Sequence, residues 1–500
     1  MIKRNMHIPR DKAKYILGLV IVSLIFVALR LKTLNHLLMY DEARNIISLR
    51  AFFSNNSANP FYWNYFFHPP LYVTFAGVLA PFKAGFDVRM ESLSLLFAYL
   101  TLMIVYVMSA RLGGRKYAFL SGLFLSLMPA SIAYDSWIKR DGLASALGYL
   151  AILLLLRRKF LWCAVALSFS MLAKESAVFF IMAATVLLFV LREDGIQKKL
   201  AIIYGTIFVL TSWWYVFFSS MPKFIFDIYF SVDKFAPVWA NSPLYYCGKL
   251  LPDMGLPILI FFITGVGYLI HLIFQEKQYK WAIPPVVALC VYITSSLVIG
   301  CKTPWLSLSA VPALAMVAGA GGLYLIAIAK KHKFFPAIFT LFLIFSILGG
   351  ISFSYEKYHI STYANGWSGA NYSKELALYL NKASKDDERL MLTQFSYWGK
   401  PFCQMCPVFL YYSDVKPVYI IDGRDSAGEV TKGIVDNKIS WLAVIDSPDE
   451  QVNFHPLVKS LEDSVLGEPC SVGYSRIWKT DALWRQNVNS IWLKKRAKNK

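Results

Sequence analysis

Charge is scarce in this sequence. Of 500 residues only 16% are Asp, Glu, Lys or Arg, against about a quarter in ordinary soluble domains, and acidic side chains are the rarer sign, 31 against 51 basic. Seven histidines and seven cysteines leave little material for metal clusters or a dense disulfide scaffold. No Gly-x-x-x-x-Gly-Lys phosphate loop appears, which argues against nucleotide hydrolysis of that type. No internal repeat or low-complexity segment is seen, and no small-residue cleavage site follows the first apolar run, so that run reads as an uncleaved signal anchor.

What replaces charge is apolar surface: 57% of residues are hydrophobic and the mean hydropathy is +0.47, the signature of a polytopic membrane protein. The formal net charge of +20 could suggest a nucleic acid partner. Much of the excess, however, lies in short connectors between apolar runs, where it sets topology, and no aromatic-basic stripe supports nucleic acid binding.

About eleven spans are expected, at 15–34, 90–109, 117–134, 141–156, 160–173, 176–191, 200–219, 256–274, 282–299, 304–329 and 334–353, several of them short of the ~20 residues a span usually needs. Lys3, Arg4, Arg10, Lys12 and Lys14 keep the N-terminus cytoplasmic. The basic turns 111–116, 157–159, 198–199, 277–280 and 330–333 then all face the cytoplasm. Residues 69–86 are apolar enough to span, but counting them would put the turns 111–116 and 157–159 outside. They are therefore read as an interfacial helix, with 41–53, in an outer loop of about 36–88, whose aromatic run 61–67 suits headgroup depth.

Composition changes after the last span. Residues 1–353 form the transmembrane part and 354–500 an extracytoplasmic α/β domain with a largely parallel sheet, strands expected at 389–393, 418–422 and 441–446, helices at 374–382, 428–437 and 456–463. The tail 484–500 reads as a frayed basic terminus or a return to the membrane surface. Cys163 and Cys290 fall inside spans. Cys247, Cys301, Cys403, Cys406 and Cys470 fall outside, an odd number that cannot all pair. Cys403 and Cys406 have redox spacing, but a structural disulfide within the outer domain is the preferred reading; their connectivity with Cys470 stays open.

The ionisable residues that do occur near the spans gather at one boundary: Asp41 and Glu42, Arg89, Arg140 and Asp141, Lys174, and Lys302. Each has a bland explanation. Asp41 and Glu42 could cap a helix, Arg89 and Lys302 could snorkel, His68 could be a polar contact, and Asp141 could be an N-cap. Together they put four cations on the outer side, against the topological bias, beside two carboxylates able to act as general bases in reduced dielectric. That arrangement fits an anionic ligand, and a phosphate at headgroup level is the natural one.

The order Tyr40-Asp41-Glu42-Ala43-Arg44, His68-Pro69-Pro70-Leu71-Tyr72, Arg89 with Ser92, Arg111-Leu112-Gly113-Gly114-Arg115, Arg140-Asp141-Gly142-Leu143 and Leu172-Ala173-Lys174-Glu175 resembles the GT-C superfamily of membrane glycosyltransferases. It looks closest to the branch holding protein O-mannosyltransferases and the aminoarabinose transferases of lipid A, over roughly residues 10–310. Two departures stand out: Met90-Glu91 follows the arginine where Leu-Pro is more usual, and no sugar-binding domain interrupts a central outer loop.

The resemblance implies an inverting transfer of a sugar from a polyprenyl-phosphate donor (dolichyl phosphate in some relatives) to a hydroxyl of a protein, lipid or glycan acceptor at the cell membrane. Asp41 maps to the base, with Glu42 adjacent. Arg89 and Lys302 map to the donor phosphate, and Lys174, Arg140, Asp141 and His68 complete the candidate substrate-binding set. No resident cofactor is specified and no metal ligand is assigned, although a divalent metal stays open. A lipid-linked sugar flippase is the alternative, disfavoured by charges on one side only and by the lack of related halves.

Overall fold

The computed structural model of the chain describes residues 12–31, 34, 40–53, 69–79, 86–217, 245–295, 308–329, 335–359, 369–384, 388–393, 413, 417–421, 426–445, 455–463, 466, 468–472 and 475–480. The chain forms two compact units, one of residues 1–36 and 63–359, the other of 37–62 and 360–500.

In the first unit the apolar runs are helical because nothing else satisfies backbone polar groups away from water. Helix α1 (Lys12–Leu31) has 20 residues, about 30 Å, the thickness of a bilayer's hydrocarbon core. Helix α2 (Tyr40–Phe53) groups with the second unit, and α3 (Leu71–Leu79) has nine residues, about 14 Å, too short to span. Helix α4 (Phe86–Leu127) runs for 42 residues, about 63 Å, twice a hydrocarbon core. Gly114, at φ 79°, breaks it inside the basic turn expected between the second and third spans, in the left-handed region that only glycine enters at no steric cost.

Helices α5 (Pro129–Tyr134), α6 (Asp141–Leu156), α7 (Phe160–Ala173), α8 (Val178–Val190) and α9 (Ile196–Phe217) follow. Then come α10 (Tyr245–Met254), α11 (Leu256–Ile270, extended by a π turn to Gln275), α12 (Ile283–Ile293), α13 (Val311–Ala329) and α14 (Phe335–His359). Among the described residues five helices are long and apolar enough to cross a membrane: Lys12–Leu31, Val88–Leu127, Ile196–Val216, Leu256–Gln275 and Leu308–Ile328. Five apolar stretches of 10–17 residues, Asp141–Leu156, Phe160–Ala173, Glu175–Val190, Tyr279–Ile293 and Thr340–Gly349, are shorter, so length alone does not establish the expected eleven spans. Large apolar side chains such as Leu24, Phe208, Ile263 and Phe345 lie exposed on these helices, as lipid contact requires and water does not tolerate. The chain is a multi-pass membrane protein.

Packing centres on α4, α6, α7, α11 and α13. Helices α11 and α13 meet backbone to backbone: a Cβ on Gly265 would stand 2.0 Å from the Val317 carbonyl oxygen, and one on Gly321 1.9 Å from that of Phe261. Small residues at a helix crossing substitute contact between backbones for the hydrophobic drive that lipid does not supply.

The second unit contains α2, whose Ile46, Ile47, Leu49 and Ala51 are buried, and an α/β fold. Its sheet has the order β2-β1-β3-β5-β4, formed by β1 (Leu390–Thr393), β2 (Pro417–Ile421), β3 (Trp441–Ile445), β4 (Cys470–Val472) and β5 (Ser475–Lys479). Strands β1, β2 and β3 are parallel, as the alternation with helices predicts, while β5 and β4 add an antiparallel edge that the sequence reading lacked. Helices α15 (Gly369–Ala383), α16 (Ala427–Asp436) and α17 (His455–Glu462) stand where helices were expected. The core joins Met391, Leu442, Val444 and Trp478 of the sheet with Val430, Ile434, Leu457 and Leu461 of α16 and α17. Cys470 is a free thiol 3.6 Å from the Tyr379 hydroxyl; Cys403 and Cys406 lie outside the described residues.

Candidate active site

Helix α7 ends because Lys174 turns extended, at φ −159° and ψ 138°, and a 3-10 turn at Glu175–Ala177 redirects the chain into α8. This break carries the Lys174 side chain to the first turn of α6, where its Nζ donates to Asp141 Oδ1 at 2.5 Å. Both side chains are about nine-tenths buried. Asp141 therefore does not cap α6 as an N-cap would; it sits at the helix's first position, where the dipole favours its charge, and spends one oxygen on Lys174. The Ser170 hydroxyl donates to the Ala144 carbonyl at 2.6 Å and locks α7 against α6 beside the pair.

A short strap, residues 135–140, joins α5 to α6, and it carries Lys139 and Arg140, both buried. At its start Asp135 accepts from Arg30 Nε at 2.7 Å and from the Ser131 hydroxyl at 2.7 Å. Arg30, fully buried in the last turn of α1, donates in addition to Ser131 Oγ at 2.7 Å and to the carbonyls of Phe26 and Ser126 at 3.1 Å. Its guanidinium also stacks over the Phe26 ring, 3.7 Å from the centroid.

Between these groups lies a cavity of about 60 Å³, enough for a few waters or one small polar group. Asp135, Lys139 and Asp141 line it, with the hydroxyl-bearing residues Ser94, Thr101, Ser131, Tyr134 and Ser145. Each lining carboxylate has a cation of its own, Arg30 for Asp135 and Lys174 for Asp141. Lys139 and Arg140 bring two further buried cations to the strap.

The start of α13 is fixed from α6 as well. Tyr149 donates to the Ser309 carbonyl at 2.7 Å and accepts from the Ala313 N–H at 3.0 Å, bridging a donor and acceptor that would otherwise pair within one helical turn. Ser145 and Ser309 pair at 3.0 Å.

Of the residues singled out in the sequence, the structure brings Asp141 and Lys174 into contact and places Arg140 beside them. Arg89 is half-buried near the start of α4, where the Ser92 hydroxyl bonds the Val88 carbonyl at 2.7 Å. Glu42 is buried in the first turn of α2. Asp41 shares that turn, but its side chain, like all of His68 and Lys302, lies outside the described residues. Arg30, Lys139 and Asp253, buried on α10, were not anticipated as site residues. Among the described residues no group of three or more His, Cys, Asp or Glu is arranged to hold a metal.

No protein-family model and no curated protein sequence matches this chain. Solved structures do. ArnT from Cupriavidus metallidurans in the apo state superposes with a TM-score of 0.63 at 14% identity, covering 93% of this chain and 97% of ArnT. The same enzyme bound to undecaprenyl phosphate gives 0.60 at 15% identity and the same coverage. The chain has the GT-C fold. A further GT-C protein, the Archaeoglobus fulgidus oligosaccharyltransferase complexed with Zn and sulfate, superposes with a TM-score of 0.55 at 11% identity, over 85% of this chain and 67% of that one. The resemblance read from the order of the outer-boundary motifs thus extends to a fold shared over nearly the whole chain, the C-terminal unit included.

Proposed function

We propose that this GT-C protein is a glycosyltransferase that moves a sugar from a polyprenyl-phosphate donor to a hydroxyl acceptor on the outer face of the membrane. The observation that carries the reading is the likeness over 93% of the chain to ArnT, one of whose structures holds undecaprenyl phosphate. The cation-rich outer end of the helical bundle supports it, because a lipid phosphate needs charge-assisted donors where water is scarce.

In this reading Asp41 removes the acceptor's proton as the anomeric carbon leaves phosphate, in one inverting displacement, and Glu42 supports it. Arg89 and Lys302 stabilise charge on the departing phosphate, while Arg140, Lys174, Asp141 and His68 contribute to substrate binding. The N-terminus is cytoplasmic and the domain at 354–500 extracytoplasmic, where it positions the acceptor, be it protein, lipid or glycan. Neutralising Arg89 or Lys302 should weaken donor binding by about ten- to a hundredfold, the worth of a charge-assisted contact of roughly 1.5 to 3 kcal/mol. Purified protein incubated with a polyprenyl-phosphate sugar labelled in the sugar tests the whole reading. Label on an acceptor supports it, whereas label that changes leaflet while still on its lipid identifies a flippase.

A further inference from the structure

Arg30 does not line the cavity, yet three of the groups it touches do: Phe26, Ser131 and Asp135. All three guanidinium nitrogens are spent, and their partners come from four places, the end of α1, α4 at Ser126, α5 at Ser131, and the first residue of the strap. Such a four-way junction has a cost. Removing a guanidinium from water takes several kcal/mol, and the attraction of one carboxylate roughly offsets that, so a buried ion pair is weak evidence for stability. An apolar pair of similar volume would hold α1 against α5 about as well.

What an apolar pair would not do is set the direction of the strap. Three of its backbone bonds are local: Asp135 N–H to the Ser131 carbonyl at 3.0 Å, Trp137 N–H to that of Tyr134 at 3.1 Å, and Lys139 N–H to that of Trp137 at 2.7 Å. They shape a tight coil whose Ser136 and Ile138 are buried, and two ion pairs fix its ends. The fork of Arg30 holds Asp135 at one end, Lys174 holds Asp141 at the other, and Lys139 stands between them with its ammonium 4.6 Å from the Trp137 ring centre.

We propose that Arg30 is a positioning residue. Through Asp135 and Ser131 it sets the course of the strap, and so where Lys139 and Asp141 stand in the cavity that takes the anionic part of the donor. The claim about the donor rests on the transferase reading; the claim about the strap does not.

The test is Arg30→Lys, which keeps the charge but cannot make the four directed bonds. Backbone hydrogen exchange across 135–140 should accelerate by about tenfold or more while the rest of α6 keeps its protection. The KM for the polyprenyl-phosphate sugar should rise by about tenfold, with kcat changed by less than about threefold, because the strap binds the donor rather than acting on the acceptor. If Arg30→Lys does not fold, Arg30→Met combined with Asp135→Leu restores an apolar fill and carries the same two readouts. Wild-type exchange in the strap of a folded variant overturns the proposal, as does a fall in kcat with KM unchanged. Should the wild-type protein transfer no sugar at all, the transferase reading fails, and the exchange measurement still decides the role of Arg30.

Discussion

Replacing Lys174 with methionine isolates the buried pair at the mouth of α6. At 2.5 Å the two charges attract with about 6 to 7 kcal/mol at an effective dielectric near 20, and the desolvation of two side chains each about nine-tenths buried takes back most of it. The pair is therefore worth little net, but its halves are not independent. Lys174→Met removes the attraction and leaves the Asp141 carboxylate buried without its cation, a loss of about 3 to 5 kcal/mol. Because the pair is out of water, salt should screen the effect hardly at all. The assay is thermal unfolding of the purified protein in detergent, followed by loss of the monodisperse peak at 50 mM and 500 mM salt, where the midpoint should drop by about 5 °C or more. Adding Asp141→Leu to Lys174→Met should recover most of that loss without restoring donor binding. A single variant that melts with the wild type would show that the two side chains are solvated, and the electrostatic description of the cavity would fail with it.

Two further outcomes follow from packing and capping. Gly321→Ala sets a methyl against the Phe261 carbonyl, so α11 and α13 must separate; stability should fall by more than the ~1 to 3 kcal/mol of ordinary overpacking, and folded yield with it, whereas Gly267→Ala, with nothing within 4 Å of its Cβ among the described residues, should be neutral. In the C-terminal unit Ser426 caps α16: its hydroxyl accepts from the Glu429 N–H at 3.3 Å, and its own N–H and hydroxyl donate to the Glu429 carboxylate at 2.7 and 2.8 Å, which holds that carboxyl below the ordinary carboxylate range. The folded state thus favours ionised Glu429, so the cap contributes above the unfolded carboxylate's titration and is lost as the pH falls through the depressed value. Exchange at the Val430 amide, which bonds the Ser426 carbonyl, should speed up in that acidic window, and Ser426→Ala should speed it at every pH.

Much of this architecture is legible in residue order. The boundaries of α6 and α7 coincide with the expected spans 141–156 and 160–173 because the basic turn Arg157-Arg158-Lys159 interrupts an otherwise unbroken apolar run. The three parallel strands were legible from alternation, while the edge hairpin was not, since the three residues of β4 carry no periodicity and β5 reads Ser-Arg-Ile-Trp-Lys, mixed on both faces. At the site, Asp141 and Lys174 were both visible as boundary charges, but their contact spans 33 positions and only folding reveals it. Arg30 was the larger omission. An arginine inside an apolar span is itself a signal of function, and counting it as part of the run hid it, while its partner Asp135 lies 105 positions away.

Sugar transfer with Asp41 as base can be checked by comparing wild-type protein with Asp41→Asn in a single-turnover assay using a polyprenyl-phosphate sugar labelled in the sugar. Wild-type protein should pass label to a hydroxyl acceptor, and Asp41→Asn should bind donor normally while transferring at least ~10²-fold more slowly. Equal rates in the two proteins, or label that stays on its lipid in both, would contradict it.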